Sequence, residues 1–307
     1  MNLIKAVLLK LASAFLFASM SVLVRWLGTR YPVGQVVFYR SAFAVVPVVI
    51  IYAWRGELMA AIRIGRPLRH LGRGATAVGA MFCNFSALAR LPVVDATAIS
   101  FVSPLITVAL SAIFLKERVR VYRWSAVIAG FGGVLVMLAP HLDIGRTGAN
   151  AAAAVGAVLG LAGAFFSACS TVQTRALTRS ETTSSIVLYF SLICAVAGLC
   201  TLPFGWLAPT WQELVALVAI GVFGGLAHIL LTESYRLAQA SLVAPFDYTS
   251  MLWALLLGFL VFGELPDALV YLGAAIIAAA GLFVIWRERQ LGLQRMRAAE
   301  VISGRTP

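Results

Sequence analysis

Ten stretches of about 20 mostly apolar residues follow one another with short gaps, near 7–27, 34–54, 73–91, 94–115, 121–139, 154–174, 184–206, 213–234, 241–262 and 267–286. Each is long enough to cross a bilayer as a helix. Only 55–72 and the tail 287–307 are free to form anything outside a membrane. Composition agrees, since 61% of the 307 residues are hydrophobic and 12% are charged. A water-soluble domain carries about 25% charged residues, so most of this surface is expected to face lipid. The apolar run from Ala6 is interrupted by Lys10 and has no small-residue cleavage site before Arg25. It therefore reads as the first permanent span and not as a signal peptide.

The formal charge of +12 would suggest a nucleic-acid partner on a soluble chain. Its placement points elsewhere. With the N-terminus inside, 19 of the 24 lysines and arginines fall on the cytoplasmic side and five on the outer side. That alternation is the positive-inside pattern, so both termini are expected in the cytoplasm. The bilayer accounts for the charge and no nucleic-acid partner is implied. Cys83, Cys169, Cys194 and Cys200 lie in apolar runs without a C-x-x-C spacing, which points to inert thiols and to no metal site or disulfide.

The chain also repeats itself. Residues 11–27, "LASAFLFASMSVLVRWL", align without gaps to 161–177, "LAGAFFSACSTVQTRAL", with eight identities in 17 positions. The same shift of 150 places Tyr39 and Ser41 over Tyr189 and Ser191. Further on, 101–117, "FVSPLITVALSAIFLKE", lies over 248–264, "YTSMLWALLLGFLVFGE", and both end in glutamate. Each copy holds five spans, an odd number, so the second must enter from the opposite face. Inverted repeats are a signature of secondary transporters, with substrate held near the midplane where the halves meet. The expected organisation is a first five-helix repeat over 1–139, an outer linker 140–153, a second repeat over 154–286 and a basic cytoplasmic tail 287–307.

These two halves resemble the drug/metabolite transporter superfamily, and within it the ten-helix EamA family. "ATAISFVSPLITVALSAIFLKE" (96–117), "GFGGVLVMLAPH" (130–141) and "APFDYTSM" (244–251) are similar to its bacterial riboflavin and S-adenosylmethionine uptake carriers. The resemblance implies an all-α integral membrane protein of ten transmembrane helices in two inverted repeats. It also implies a small-molecule substrate, no prosthetic group and no ATP hydrolysis. No G-x(4)-G-K-[ST] phosphate loop is present in the sequence.

Polar residues at membrane depth face a cavity or a neighbouring helix. Pro104 and Pro245 are hinge candidates. Pro104 sits mid-span, where it removes a backbone hydrogen bond, whereas Pro245 sits in a first turn that tolerates proline. Phe101 and Tyr248 occupy matching places in the two halves, which favours them over Trp253 as cavity aromatics, although helix packing accounts for all three. Asn84, Ser103, Gln173 and Tyr189 are further cavity candidates, with bonding across helices as the alternative for Asn84, as it is for His228. Arg40 lies two turns into the second span, where it either snorkels to the outer surface or faces inward and suits a carboxylate, phosphate or flavin carbonyl. Asp247, His228 and Glu233 are the ionisable coupling candidates. Capping accounts equally well for Asp247, and a local pair with Arg236 for Glu233. The glycines of Gly156-x-x-x-Gly160, Gly130, Gly132, Gly133 and Gly273 permit close helix contacts.

The function expected from the sequence is an inner-membrane secondary carrier working by alternating access. Riboflavin-type uptake ranks first, S-adenosylmethionine uptake second, and amino-acid or metabolite export third. A membrane-embedded enzyme would need clustered titratable groups, and His70, His141 and His228 are scattered. A channel would show unsaturable flux.

Overall fold

The computed structural model describes residues 3–56, 59, 62, 65–114, 121–138, 149–177, 181–237, 246, 249–263 and 265–302. Among them there is no β-strand. The helices are α1 (Leu3–Leu27), α2 (Val33–Trp54), α3 (Pro67–Leu88), α4 (Val93–Ser100), α5 (Val102–Phe114), α6 (Val121–Leu138), α7 (Ala149–Leu177), α8 (Thr183–Leu199), α9 (Trp211–Leu237), α10 (Thr249–Phe262) and α11 (Ala268–Ile302). Ile4–Leu27, Val33–Trp54, Ala151–Thr174 and Trp211–Ser234 are each long and apolar enough to cross a membrane, and four shorter apolar helices accompany them.

Local chemistry sets the ends. Pro67 opens α3, where its missing N–H has no intrahelical partner to lose. Thr182 caps α8, its hydroxyl accepting from the Ser185 N–H at 3.3 Å. Gly28 ends α1 in the left-handed region at φ 57°, which a side chain would disfavour.

Three boundaries differ from the sequence expectation. The seventh span ends at Leu199 and not near 206, because a 3₁₀ turn over Leu202–Phe204 and Gly205 at φ 85° reverse the chain. α7 begins at Ala149, inside the expected linker 140–153, since the alanine-rich 149–154 favours helix. The basic tail continues the last span as helix to Ile302, as its arginine, glutamine, leucine and glutamate content allows. The rest of the linker, Glu117 and Glu264 lie outside the described residues.

α1 packs along α9, α3 along α7 and α6 along α11. α2 is held between α8 and α9, α10 lies on α1 and α4, and α5 lies on α7. Small residues permit the approach. A Cβ on Gly221 of α9 would stand 2.4 Å from the Phe43 Cβ and 2.7 Å from the Tyr39 carbonyl oxygen of α2. One on Gly133 of α6 would stand 2.8 Å from the Gly273 carbonyl of α11. In lipid, such close packing replaces the hydrophobic effect as the force between helices. The buried interior joins Val22, Val37, Met81, Phe85, Val94 and Leu217, while Ile50, Ile128, Val158, Leu252 and Leu260 face outward.

Ion pairs fasten α2 to α9 at both ends. Arg30, just before α2, meets Glu213 in the first turn of α9, and Arg55, just after α2, meets Glu233 at 2.7 Å. Glu213 is held further by Thr210, whose N–H donates to it at 2.9 Å. The Gln35 side chain pairs with the Leu207 backbone in both directions, at 2.8 and 3.1 Å.

Candidate functional site

The stretch expected as the fourth span, 94–115, is broken. α4 stops at Ser100 and α5 starts at Val102, with Phe101 between them. Pro104 is the cause, because it offers no N–H to the Ser100 carbonyl four residues back. The Phe101 N–H turns instead to the Ala98 carbonyl at 3.1 Å, a tighter i→i−3 bond. Hydroxyls satisfy carbonyls on both sides of the break: Thr97 donates to Val93 O at 2.7 Å, Ser100 to Thr97 O at 2.6 Å and Thr107 to Ser103 O at 2.8 Å. Backbone of this kind is tolerated at membrane depth where it lines a cavity.

A cavity of about 510 Å³ lies against this break. α1 supplies Lys10, Ser13, Phe17 and Met20, α3 supplies Asn84, and the broken span supplies Thr97, Ser100, Phe101, Ser103 and Pro104. Ser167 of α7 and Ser250 of α10 complete its polar wall. Gly163 makes room for Asn84, because a Cβ there would clash with the amide oxygen. The Asn84 amide then donates to Ser167 at 3.4 Å. Lys10 is only 2% exposed although it lies in the first span. Hydroxyls, one amide and one ammonium in an otherwise apolar wall suit a small polar organic molecule.

A second polar region lies behind Phe17 and Met20. The Arg40 guanidinium of α2 stands 5.4 Å from the centre of the Phe190 ring of α8, and that of Arg73 from α3 stands 5.0 Å from the same ring. His228 of α9 packs edge-on to Phe17 and Phe190, with ring centres 5.0 and 5.8 Å apart. Arg73 is anchored, its Nε donating to Thr174 Oγ1 at 2.6 Å and its Nη1 to the Ile186 carbonyl at 2.9 Å. Arg40 is 3% exposed and its Nη1 meets no hydrogen-bond acceptor. Among the described residues no carboxylate pairs with either arginine.

Two segments, 4–139 and 154–287, match the EamA-like transporter family. The chain belongs to that family. Among similar proteins are the pseudopaline exporter of Pseudomonas aeruginosa, 31% identical over 91% of this chain and 96% of that one. An S-adenosylmethionine uptake transporter of Rickettsia bellii is 29% identical, covering 88% and 89%. A riboflavin transporter of Rhizobium johnstonii is 30% identical, covering 89% and 88%. One solved crystal structure, 20% identical, superposes with a TM-score of 0.64 over 93% of this chain and 98% of that one, which marks a shared fold. This EamA-like transporter is a multi-pass membrane protein, and its family and relatives are transporters and not enzymes.

Of the residues singled out from its sequence, the structure brings Asn84, Phe101, Ser103 and Pro104 together at the cavity. Pro245, Asp247 and Tyr248 lie outside the described residues. Trp253 packs edge-on against Phe15 at 5.2 Å, and its indole nitrogen is buried without an acceptor. Gln173 ties α7 to α3 through Thr76 at 3.4 Å, and Tyr189 donates to the Ile62 carbonyl at 2.8 Å beside His70. Glu233 pairs across helices with Arg55, where a local partner at Arg236 was expected. Snorkelling of Arg40 is overturned by its burial among α2, α8 and α9. Arg25 donates to the Ala89 carbonyl at 3.1 Å, closing the end of α3. The charge count places Lys10 and Arg73 on the cytoplasmic side, whereas Lys10 is buried in the bundle and Arg73 is partly buried between α3, α7 and α8. Their signal was present in the sequence, a lysine within the first apolar run and an arginine opening the third.

Proposed function

We propose that this transporter is a secondary carrier of the inner membrane, moving a small organic metabolite by alternating access between two inverted five-helix halves. The carrying observation is the polar cavity of about 510 Å³ against the Pro104 break, within the range of roughly 300–1,000 Å³ for small-molecule sites. Helix pairing supports the inverted halves. Exchanging first and second copies turns the α1–α9 contact into α7–α3, and both are extensive. It leaves α6–α11 and α2–α8 as pairs of mates meeting each other. The tryptophans support the span count: Trp26, Trp206 and Trp211 fall at predicted outer ends, and Trp54, Trp124 and Trp286 at predicted inner ends. Such girdles mark the two interfaces of a bilayer.

With ion pairs at both ends and glycine contacts between, α2 and α9 move as one body. The broken α4–α5 span has the freedom to bend against them. Alternating access in such a carrier is a rocking of one bundle against another around a fixed site.

The substrate class proposed is a ring-bearing metabolite of riboflavin or S-adenosylmethionine type, the cargoes for which two of the relatives are named. Export, as named for the pseudopaline relative, is the alternative direction. Expression in hosts that can neither make nor import riboflavin, or S-adenosylmethionine, tests this. Growth rescue with accumulation of the labelled compound is the expected result, and the Asn84→Leu variant should lower it at least tenfold. No rescue and no accumulation of either compound would refute the substrate class.

A further inference from the structure

The arginine cluster behind the cavity has a feature that packing does not require. A guanidinium in an apolar interior is costly unless its charge is met. Arg40 stands over the Phe190 ring, which also meets His228 edge-on and carries a second cation, Arg73. Ring faces offset part of the charge but accept no directed N–H bond, and the Arg40 Nη1 is left without one. Three carboxylates at the edges of the bundle are engaged elsewhere, Glu213 by Arg30, Glu233 by Arg55 and Glu181 by the Gly65 N–H at 3.0 Å, and Asp95 of α4, also buried, forms no ion pair with Arg40.

Arg40 is also close to the cavity. A Cβ at Gly224 would stand 3.1 Å from the Met20 sulfur and 3.2 Å from the Arg40 Nε, so Met20, which lines the cavity, is its neighbour. Phe17, the other cavity side chain on that wall, touches His228. By the 150-residue shift of the repeat, Arg40 corresponds to Phe190, the ring it stacks on. The cluster therefore lies where the two halves meet, the place in which carriers built from inverted repeats hold their cargo.

We propose that Arg40 is the docking point for a carboxylate of the transported molecule, reached past Met20 and Phe17, with Arg73, over the same Phe190 ring, adding positive potential. The inference rests on the carrier reading above and narrows its substrate class. A single planar carboxylate matches one guanidinium fork. A phosphate dianion matches less well, because Arg73 already commits its Nε and Nη1 to Thr174 and Ile186. S-adenosylmethionine carries such a carboxylate, whereas riboflavin carries none.

The test is the thermal unfolding of the purified full-length protein in chloride-free buffer, with S-adenosylmethionine, its decarboxylated analogue, riboflavin, flavin mononucleotide and sodium chloride as separate probes. A ligand that binds only the folded form raises Tm. S-adenosylmethionine should raise the Tm of the wild type, and its decarboxylated analogue should need at least a tenfold higher concentration for the same rise. Arg40→Gln should abolish the response and Arg40→Lys should retain part of it. The analogue pair is read on the wild type, so the result stands even if a variant fails to fold. The proposal is overturned by no rise with S-adenosylmethionine, by equal responses to the analogue pair, by an undiminished response in a folded Arg40→Gln, or by an Arg40-dependent rise with chloride or flavin mononucleotide that matches the carboxylate. Saturable riboflavin uptake by both wild type and Arg40→Gln would overturn it while leaving the carrier reading in place. Absence of any saturable uptake would refute the carrier reading, whatever the binding data show.

Discussion

The two polar regions of the bundle lie on opposite sides of Phe17 and Met20 and treat buried charge differently. Lys10, 2% exposed, lines a cavity beside the helix break whose wall also carries Ser13, Thr97 and Ser100. Around Phe190 the two guanidiniums meet a ring, the Met20 sulfur and the neutral acceptors of Thr174 and Ile186, and of the two only Arg40 is fully buried. A charge beside hydroxyls can be met by hydrogen bonds, whereas a charge against rings is met only in part and at a loss of stability. On the proposals above, the first region admits cargo and the second grips it.

Substitutions should bring out that contrast, beginning with the tight side. Gly221→Val drives new carbons into Phe43 and the Tyr39 carbonyl. Overpacking of this kind costs about 1–3 kcal/mol and at times more, so Tm should fall by several degrees. Gly132→Ala, where an added Cβ meets nothing within 4 Å, should leave Tm unchanged. Equal losses in the two variants would contradict the difference in packing. Next comes Arg40→Met, which removes the unmet charge. It should stabilise the ligand-free protein by about 1–3 kcal/mol, as replacing buried ions with apolar groups often does, while uptake collapses. A lower ligand-free Tm would mean that Arg40 is structural.

At the edge of the closed side, Tyr31 lies in the α1–α2 turn. Burial raises its phenol above the ordinary 10.0, and the hydrogen bond to Glu213 raises it further. The folded state then keeps its proton to higher pH than the unfolded state, so stability should fall as pH climbs above about 10. Tyr31→Phe should remove that slope, at a loss of about 1 kcal/mol near neutrality for the missing hydrogen bond. The same alkaline slope in the variant would show that another group is responsible. Smallest is Glu233→Gln. Its partly exposed pair with Arg55 is worth about 0–1 kcal/mol, so urea unfolding should shift little while uptake slows if the pair helps to fasten α2 to α9. A loss well above that range would assign the pair a larger structural part.

How much of this was legible in the sequence follows from which forces act locally. Apolar runs and the Pro104 break could be read directly, since span length and a missing N–H are properties of neighbouring residues. Phe101, Ser103 and Asn84 were found as polar or repeat-matched positions in spans, though nothing local said that they share one wall. The convergence of Arg40 and Arg73 on Phe190 could not be read, because three separate spans create it and each arginine alone has a plausible surface role. Lys10 was missed for the same reason: near an end of the chain, a lysine counts toward topology before it counts as cavity wall.

Counterflow in proteoliposomes tests the central claim most directly. Vesicles holding the purified protein are preloaded with unlabelled riboflavin or S-adenosylmethionine, and entry of the labelled compound is followed at increasing outside concentration. A carrier predicts transient accumulation of label above equilibrium that saturates with concentration. It also predicts that a folded Ser100→Leu variant, which fills the cavity, loses the effect. Label entry that rises linearly with concentration, ignores the preload and survives Ser100→Leu would contradict the account.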